Sequence, residues 1–105
     1  MALFKKTSPE EKFAGSRLGQ ALAAYERGHA FFQLRAVTSE VNEPVPASTP
    51  AREFNRTDLL GQIEEIGWRL EHASWVWVEM GMKGDSGSSR IAGEVTGIYL
   101  FRRAD

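Results

Sequence analysis

The chain contains no cysteine. Disulfides, Cys-ligated zinc, thiolate-held clusters and thiol nucleophiles are thereby excluded. Only two histidines are present, His29 and His72, far apart and without paired-His ligand spacing, so no metal site is expected. No run approaches the ~20 apolar residues that a membrane span requires. The opening Met1-Ala2-Leu3-Phe4-Lys5-Lys6 also lacks the order of a secretory signal, in which positive charge precedes the apolar stretch. A cytoplasmic location without membrane contact is the resulting expectation. Neither sign of charge dominates: 13 Lys+Arg stand against 14 Asp+Glu, a formal net charge of -1. Binding nucleic acid by charge alone is disfavoured on that balance. Aromatics near Arg35, Arg102 and Arg103 offer an argument for base stacking, but the glycine-aromatic consensus of sheet-based RNA binders is missing, and nucleic acid is not expected as a partner.

What is present is a globular composition, 42% hydrophobic and 26% charged over 105 residues, enough for a single domain 1–105 with one core. Residues 1–7 read as a frayed start. Ser8-Pro9-Glu10-Glu11 is a helix opening: Ser8 caps, Pro9 suits the first helical position, and Glu11 reaches back to the Ser8 N–H. A helix over 8–27 follows, with Gly28 as a left-handed stop and a stripe of Ala14, Leu18, Ala21, Leu22 and Tyr25. Gly15 and Gly19 weaken it, and Ser16 offers a second cap for a shorter helix over 17–27. Residues 30–41 alternate as a strand, with Phe32, Leu34 and Ala36 on one face and Phe31, Gln33, Arg35 and Val37 on the other. The segment 42–56 holds Pro44, Pro46 and Pro50 and reads as a loop or crossover.

Thr57 is read as the cap of a second helix over 58–66, with Leu59, Ile63, Ile66 and Leu70 in series and Gly67 ending it. Trp68 to Met80 reads as a strand rich in Trp and Val, 81–93 as a flexible glycine-rich hairpin loop, and 94–103 as a final strand. The expected fold class is α+β: a three-stranded, mainly antiparallel sheet packed with an amphipathic helix, plus an N-terminal helix. Residues 30–103 form its strand-loop-helix-strand-strand unit.

Both faces of this sheet carry large apolar side chains. A straight strand over 68–80 would span about 43 Å, too long for a compact domain of about 13 Å radius of gyration, so a bulge near His72–Ser74 is expected. One extra residue there reverses the later phase: Trp75 and Trp77 join Trp68 and Leu70, and Val76 and Val78 take the other side. The second helix covers one face. The other, expected to hold Phe31, Val37, Tyr99 and Phe101, needs the first helix or a second copy of the chain to cover it.

Candidate chemistry is sparse. Gly84-Asp85-Ser86-Gly87 reproduces the string around the nucleophile of chymotrypsin-like proteases, but the chain is far too short for that two-barrel fold. Gly81 to Arg90 lacks the spacing and following helix of a phosphate-binding loop. Glu64 and Glu65, adjacent on a helix, diverge and read as a solvated face. His72, beside Glu71, is the one side chain with the character of a general base, though a structural histidine has the same signature. No catalytic residue and no cofactor is assigned.

Residues 31–103 resemble a family of small bacterial domains with no established activity, domain of unknown function 4177. The resemblance rests on Phe31-Phe32-Gln33-Leu34-Arg35-Ala36-Val37, on Leu60 to Leu70 with its Gly67-Trp68-Arg69-Leu70 element, and on Tyr99-Leu100-Phe101-Arg102-Arg103. It implies an α+β meander and no catalytic residues. The N-terminal helix, the Pro-rich segment and the longer glycine loop depart from that pattern. The expected role is a non-catalytic protein-interaction or self-assembly module, a homodimer or the partner of another protein. The alternative is a cofactor-free enzyme or small-ligand binder with a pocket lined by Trp68, His72, Trp75, Trp77 and Tyr99.

Overall fold

The computed structural model describes residues 8–44, 52–79 and 90–105. The frayed start at 1–7 and most of the expected loops, 45–51 and 80–89, lie outside them, as does the Gly84-Asp85-Ser86-Gly87 string. The fold is α+β, in the order α1 (Pro9–Glu26), β1 (Phe31–Pro44), β2 (Arg52–Glu53), α2 (Thr57–Ile66), β3 (Trp68–Glu79) and β4 (Arg90–Arg103).

Local chemistry sets the helix ends. The Glu11 N–H donates to Ser8 Oγ at 3.1 Å and the Ser8 N–H donates to Glu11 Oε1 at 3.3 Å, so the capping box forms and the longer α1 is the one present. The α1 stop is Gly28, at φ 80°. At α2 the expected cap moves. Thr57 is the first helical residue, Arg56 is the cap position without a side-chain bond, and Asn55 Oδ1 accepts from the Thr57 N–H at 2.8 Å. The helix ends at Gly67, whose φ of 131° and close approach to the Tyr25 ring both exclude a side chain; a Cβ there would lie 2.5 Å from the ring.

The sheet has four strands, one more than expected, in the order β2-β1-β4-β3 with every neighbouring pair antiparallel. The extra strand is β2, a two-residue pairing of Arg52 and Glu53 with Glu40 and Ser39. β1 also runs on through Pro44 and β4 begins at Arg90, so both connections are shorter than the composition suggested. Proline and glycine depress strand propensity without preventing pairing at the end of a long hairpin-like ladder.

The core lies on one face at one end of the sheet. Phe32, Leu34, Tyr99, Phe101 and Trp68 point to it from the strands, and Ala21, Ala24, Leu59 and Ile63 close it from the helices. The Trp68 indole N–H donates to the Ala21 carbonyl at 3.0 Å, its ring meets Tyr25 edge-on at 5.6 Å, and Arg103 donates to the Tyr25 and His29 carbonyls at the C-terminal end of α1. Leu22, placed in the stripe by spacing, is exposed; the buried side chains of α1 are the small Ala21 and Ala24, which let the helix lie close. Both helices therefore share one face, and α1 does not cover the other. The slab measures 55 × 45 × 20 Å with a radius of gyration of 17.4 Å, well above the ~13 Å of a compact domain this long.

Candidate functional site

Two bulges set which side chains share a face. In β3 the register steps between Leu70, opposite Phe101, and His72, opposite Leu100, so Glu71 is the extra residue. The phase reverses there. Ala73, Trp75 and Trp77 then fall opposite Tyr99, Gly97 and Val95, on the same face as Trp68 and Leu70, while His72, Ser74, Val76 and Val78 take the other. In β1 the register steps at Thr38. The carbonyls freed by this second bulge are taken: Arg56 Nε donates to the Val37 carbonyl at 2.9 Å and the Phe54 N–H to the Thr38 carbonyl at 2.9 Å.

Along β3 past the Glu71 bulge, the helices leave the side chains of Trp75 and Trp77 open. Of the five large apolar side chains exposed among the described residues, three are consecutive on β3: Trp75 at 58%, Val76 at 38% and Trp77 at 47%. They are held in place from below. Trp77 lies across Gly93, where a Cβ would collide with the indole, and Trp75 meets the Tyr99 ring edge-on at 6.2 Å and 90°. β3 is also the outermost strand, so this stretch presents an unpaired backbone edge among the described residues.

The face opposite the helices forms a second surface. The register sets Phe31, Arg102 and Arg69 in one row across the strands, then Gln33, Leu100 and His72, then Arg35, Ile98 and Ser74, then Val37, Thr96 and Val76, with Glu40, Glu94 and Val78 at the far end. It is apolar in the middle, basic at one end and acidic at the other. Arg102 is bridged to Glu71 at 3.5 Å, with both side chains open to solvent. No described helix covers this face.

A third cluster joins α1 to the start of α2. Arg56 sits over the Phe13 and Phe54 rings at 4.5 and 4.7 Å, with Arg17 over Phe13 and Arg52 over Phe54. Burial lowers the Arg56 pKa from its ordinary value, with Glu10 pushing back. The stack ties elements together and is structural in character.

The expected groupings are rearranged. Phe31 and Val37 do lie on the uncovered face, but Tyr99 and Phe101 do not: they pair with Leu34 and Phe32 and are buried under the helices at 4% and 0%. The side chains that join Phe31 are Ile98 and Leu100. Aromatic and aliphatic residues alternate in β4, so either set satisfies a buried face, and only the register decides. The aromatic pocket is likewise not assembled as one site. Trp68 and Tyr99 are core, Trp75 and Trp77 are exposed on the same face, and His72 is turned to the opposite face by the bulge, where it is exposed. Among the described residues no three His, Asp or Glu side chains gather as a metal site, and no helix is long and apolar enough to cross a membrane.

No family model matches the chain, and neither the curated proteins nor the solved structures include one similar to it. The surface that sequence reasoning missed is the edge itself. Trp75, Val76 and Trp77 read as strand residues, but their position on an outer strand follows from strand order, which no local pattern encodes.

Proposed function

We propose that this chain is a non-catalytic self-assembly module that works in the cytoplasm as a homodimer, joined through the exposed stretch of β3 at the sheet margin. The observation that carries this reading is the consecutive exposure of Trp75, Val76 and Trp77 on a strand that is outermost among the described residues. A long, apolar, unprotected edge is a template for further pairing, and a protein that keeps one has a use for it. The separation of His72 from the tryptophans supports assembly over the ligand-pocket alternative, since the bulge turns His72 to the face opposite Trp75 and Trp77. Sedimentation velocity across the micromolar range tests the proposal. A concentration-dependent dimer is expected for the wild-type chain, and a monomer for Val76→Lys. A wild-type chain that stays monomeric throughout that range overturns it.

A further inference from the structure

Resting on the homodimer reading above, we infer that two copies join by antiparallel pairing of β3 with the partner's β3, about a two-fold axis at Val76. The two four-stranded sheets then become one continuous sheet.

The structure leaves one stretch of edge suited to this. At the helix-backed end of β3 the Leu70 N–H is taken by the Glu64 carboxylate at 3.1 Å, and the bulge at Glu71 interrupts the regular ladder. From His72 to Glu79 nothing among the described residues pairs with the outer side. At the opposite margin of the sheet, β2 pairs with Ser39 and Glu40, and the bulge at Thr38 has its carbonyls occupied. That margin is blunted at Thr38 to Glu40, whereas among the described residues the β3 edge is open from His72 to Glu79.

A single antiparallel strand is self-complementary under a two-fold axis perpendicular to the sheet, so a second copy is the occupant the edge fits without any further partner. Cross-strand pairs then select the register. With Val76 on the axis, Trp75 stands opposite the partner subunit's Trp77, and Trp77 opposite the partner subunit's Trp75. Ser74 faces the partner subunit's Val78, and Ala73 the partner subunit's Glu79. Moving the axis to Trp75 sets Glu71 opposite the partner subunit's Glu79, a like-charge pair, and runs the ladder into the bulge. Moving it to Trp77 sets Glu79 against the partner subunit's Trp75 and shortens the ladder. Val76 is also the midpoint of the stretch from Ala73 to Glu79. About six to eight backbone hydrogen bonds would join the strands, in symmetry-related pairs. The four indoles form one row on the helix side, already oriented by Gly93 and by the Tyr99 ring.

The absence of native cysteine makes the test unambiguous. Directly opposed residues in an antiparallel pair have Cα atoms about 4.5–5.5 Å apart, within disulfide range. Under oxidised glutathione, Val76→Cys should form a covalent dimer by itself. Ser74→Cys and Val78→Cys should each stay largely uncrosslinked alone and give a mixed covalent dimer when combined; this pair serves if Val76→Cys fails to fold. Ile98→Cys, at the middle of the uncovered face, should not crosslink. A chain that dimerises but crosslinks through Ile98→Cys, and through neither Val76→Cys nor the Ser74→Cys and Val78→Cys mixture, overturns the edge-pairing inference and leaves the assembly reading standing. A chain that never dimerises overturns both.

Discussion

The two halves of this sheet are built from the same strands and behave as different materials. In the half under the helices, Leu34, Ile63, Trp68 and Phe101 are fully buried around one cluster. In the other half β3 carries Trp75, Val76 and Trp77 into solvent. Apolar side chains are thus no guide to where the core lies. What separates the halves is the reach of α1 and α2 across the sheet: Ala36 is buried in the same row in which Trp75 is exposed, each opposite Gly97. Burial in the first half contributes about 1.5–3 kcal/mol per large side chain. In the second half that gain is still available to whatever covers it.

The contrast is sharpest at Phe101 and Val76. Phe101→Ala should cost about 3–5 kcal/mol, because it opens a cavity in a fully enclosed site. Its chemical denaturation midpoint should fall well below that of the wild type, and an unchanged midpoint would erase the distinction between the halves. Gly67→Ala should come next, at about 1–3 kcal/mol, since it sets a side chain at positive φ and against the Tyr25 ring. A thermal melt with circular dichroism would read this. Val76→Lys, measured at concentrations where the wild type is monomeric, should move stability by no more than about 0.5 kcal/mol while weakening dimerisation at least tenfold. Equal losses from Phe101→Ala and Val76→Lys would mean the helix-free half is part of the folding core. The smallest effect belongs to Glu10→Gln. Its ion pair with Arg52 spans 3.3 Å with both side chains more than half exposed, so a loss of under about 1 kcal/mol, shrinking further as salt is added, is expected in denaturant titrations.

Much of the architecture was legible where one residue's chemistry decides a boundary. Ser8 with Glu11 announced the start of α1, and Gly28 and Gly67 announced the helix stops; a bulge does occur in the Trp-rich strand, at Glu71 rather than at His72–Ser74, but the compactness from which it was expected does not hold. The site was less legible. Tyr99 and Phe101 were assigned to the uncovered face because β4 is apolar on both sides, and alternation names two sets without naming which is inside. The cap of α2 was placed at Thr57 because its hydroxyl suits that role, yet Thr57 is already helical and its own N–H donates to Asn55 Oδ1, two residues earlier. β2 escaped notice because two residues make no pattern. Strand order, which makes β3 an outer strand, arises from long-range pairing and leaves no trace in any short window.

The blunted margin of β1 has a consequence for how far assembly can go. An edge that offers itself on both sides of a sheet permits endless addition, one molecule after another, toward a ribbon. Here the Val37 and Thr38 carbonyls are already claimed by Arg56 and Phe54, and β2 closes the adjoining stretch. In the pairing inferred above, the β1 margin would offer the next molecule an edge interrupted at Thr38 to Glu40 rather than a continuous one. The small bulge at Thr38, two strands across from Trp77, would on that inference disfavour further addition and favour a pair over a fibre.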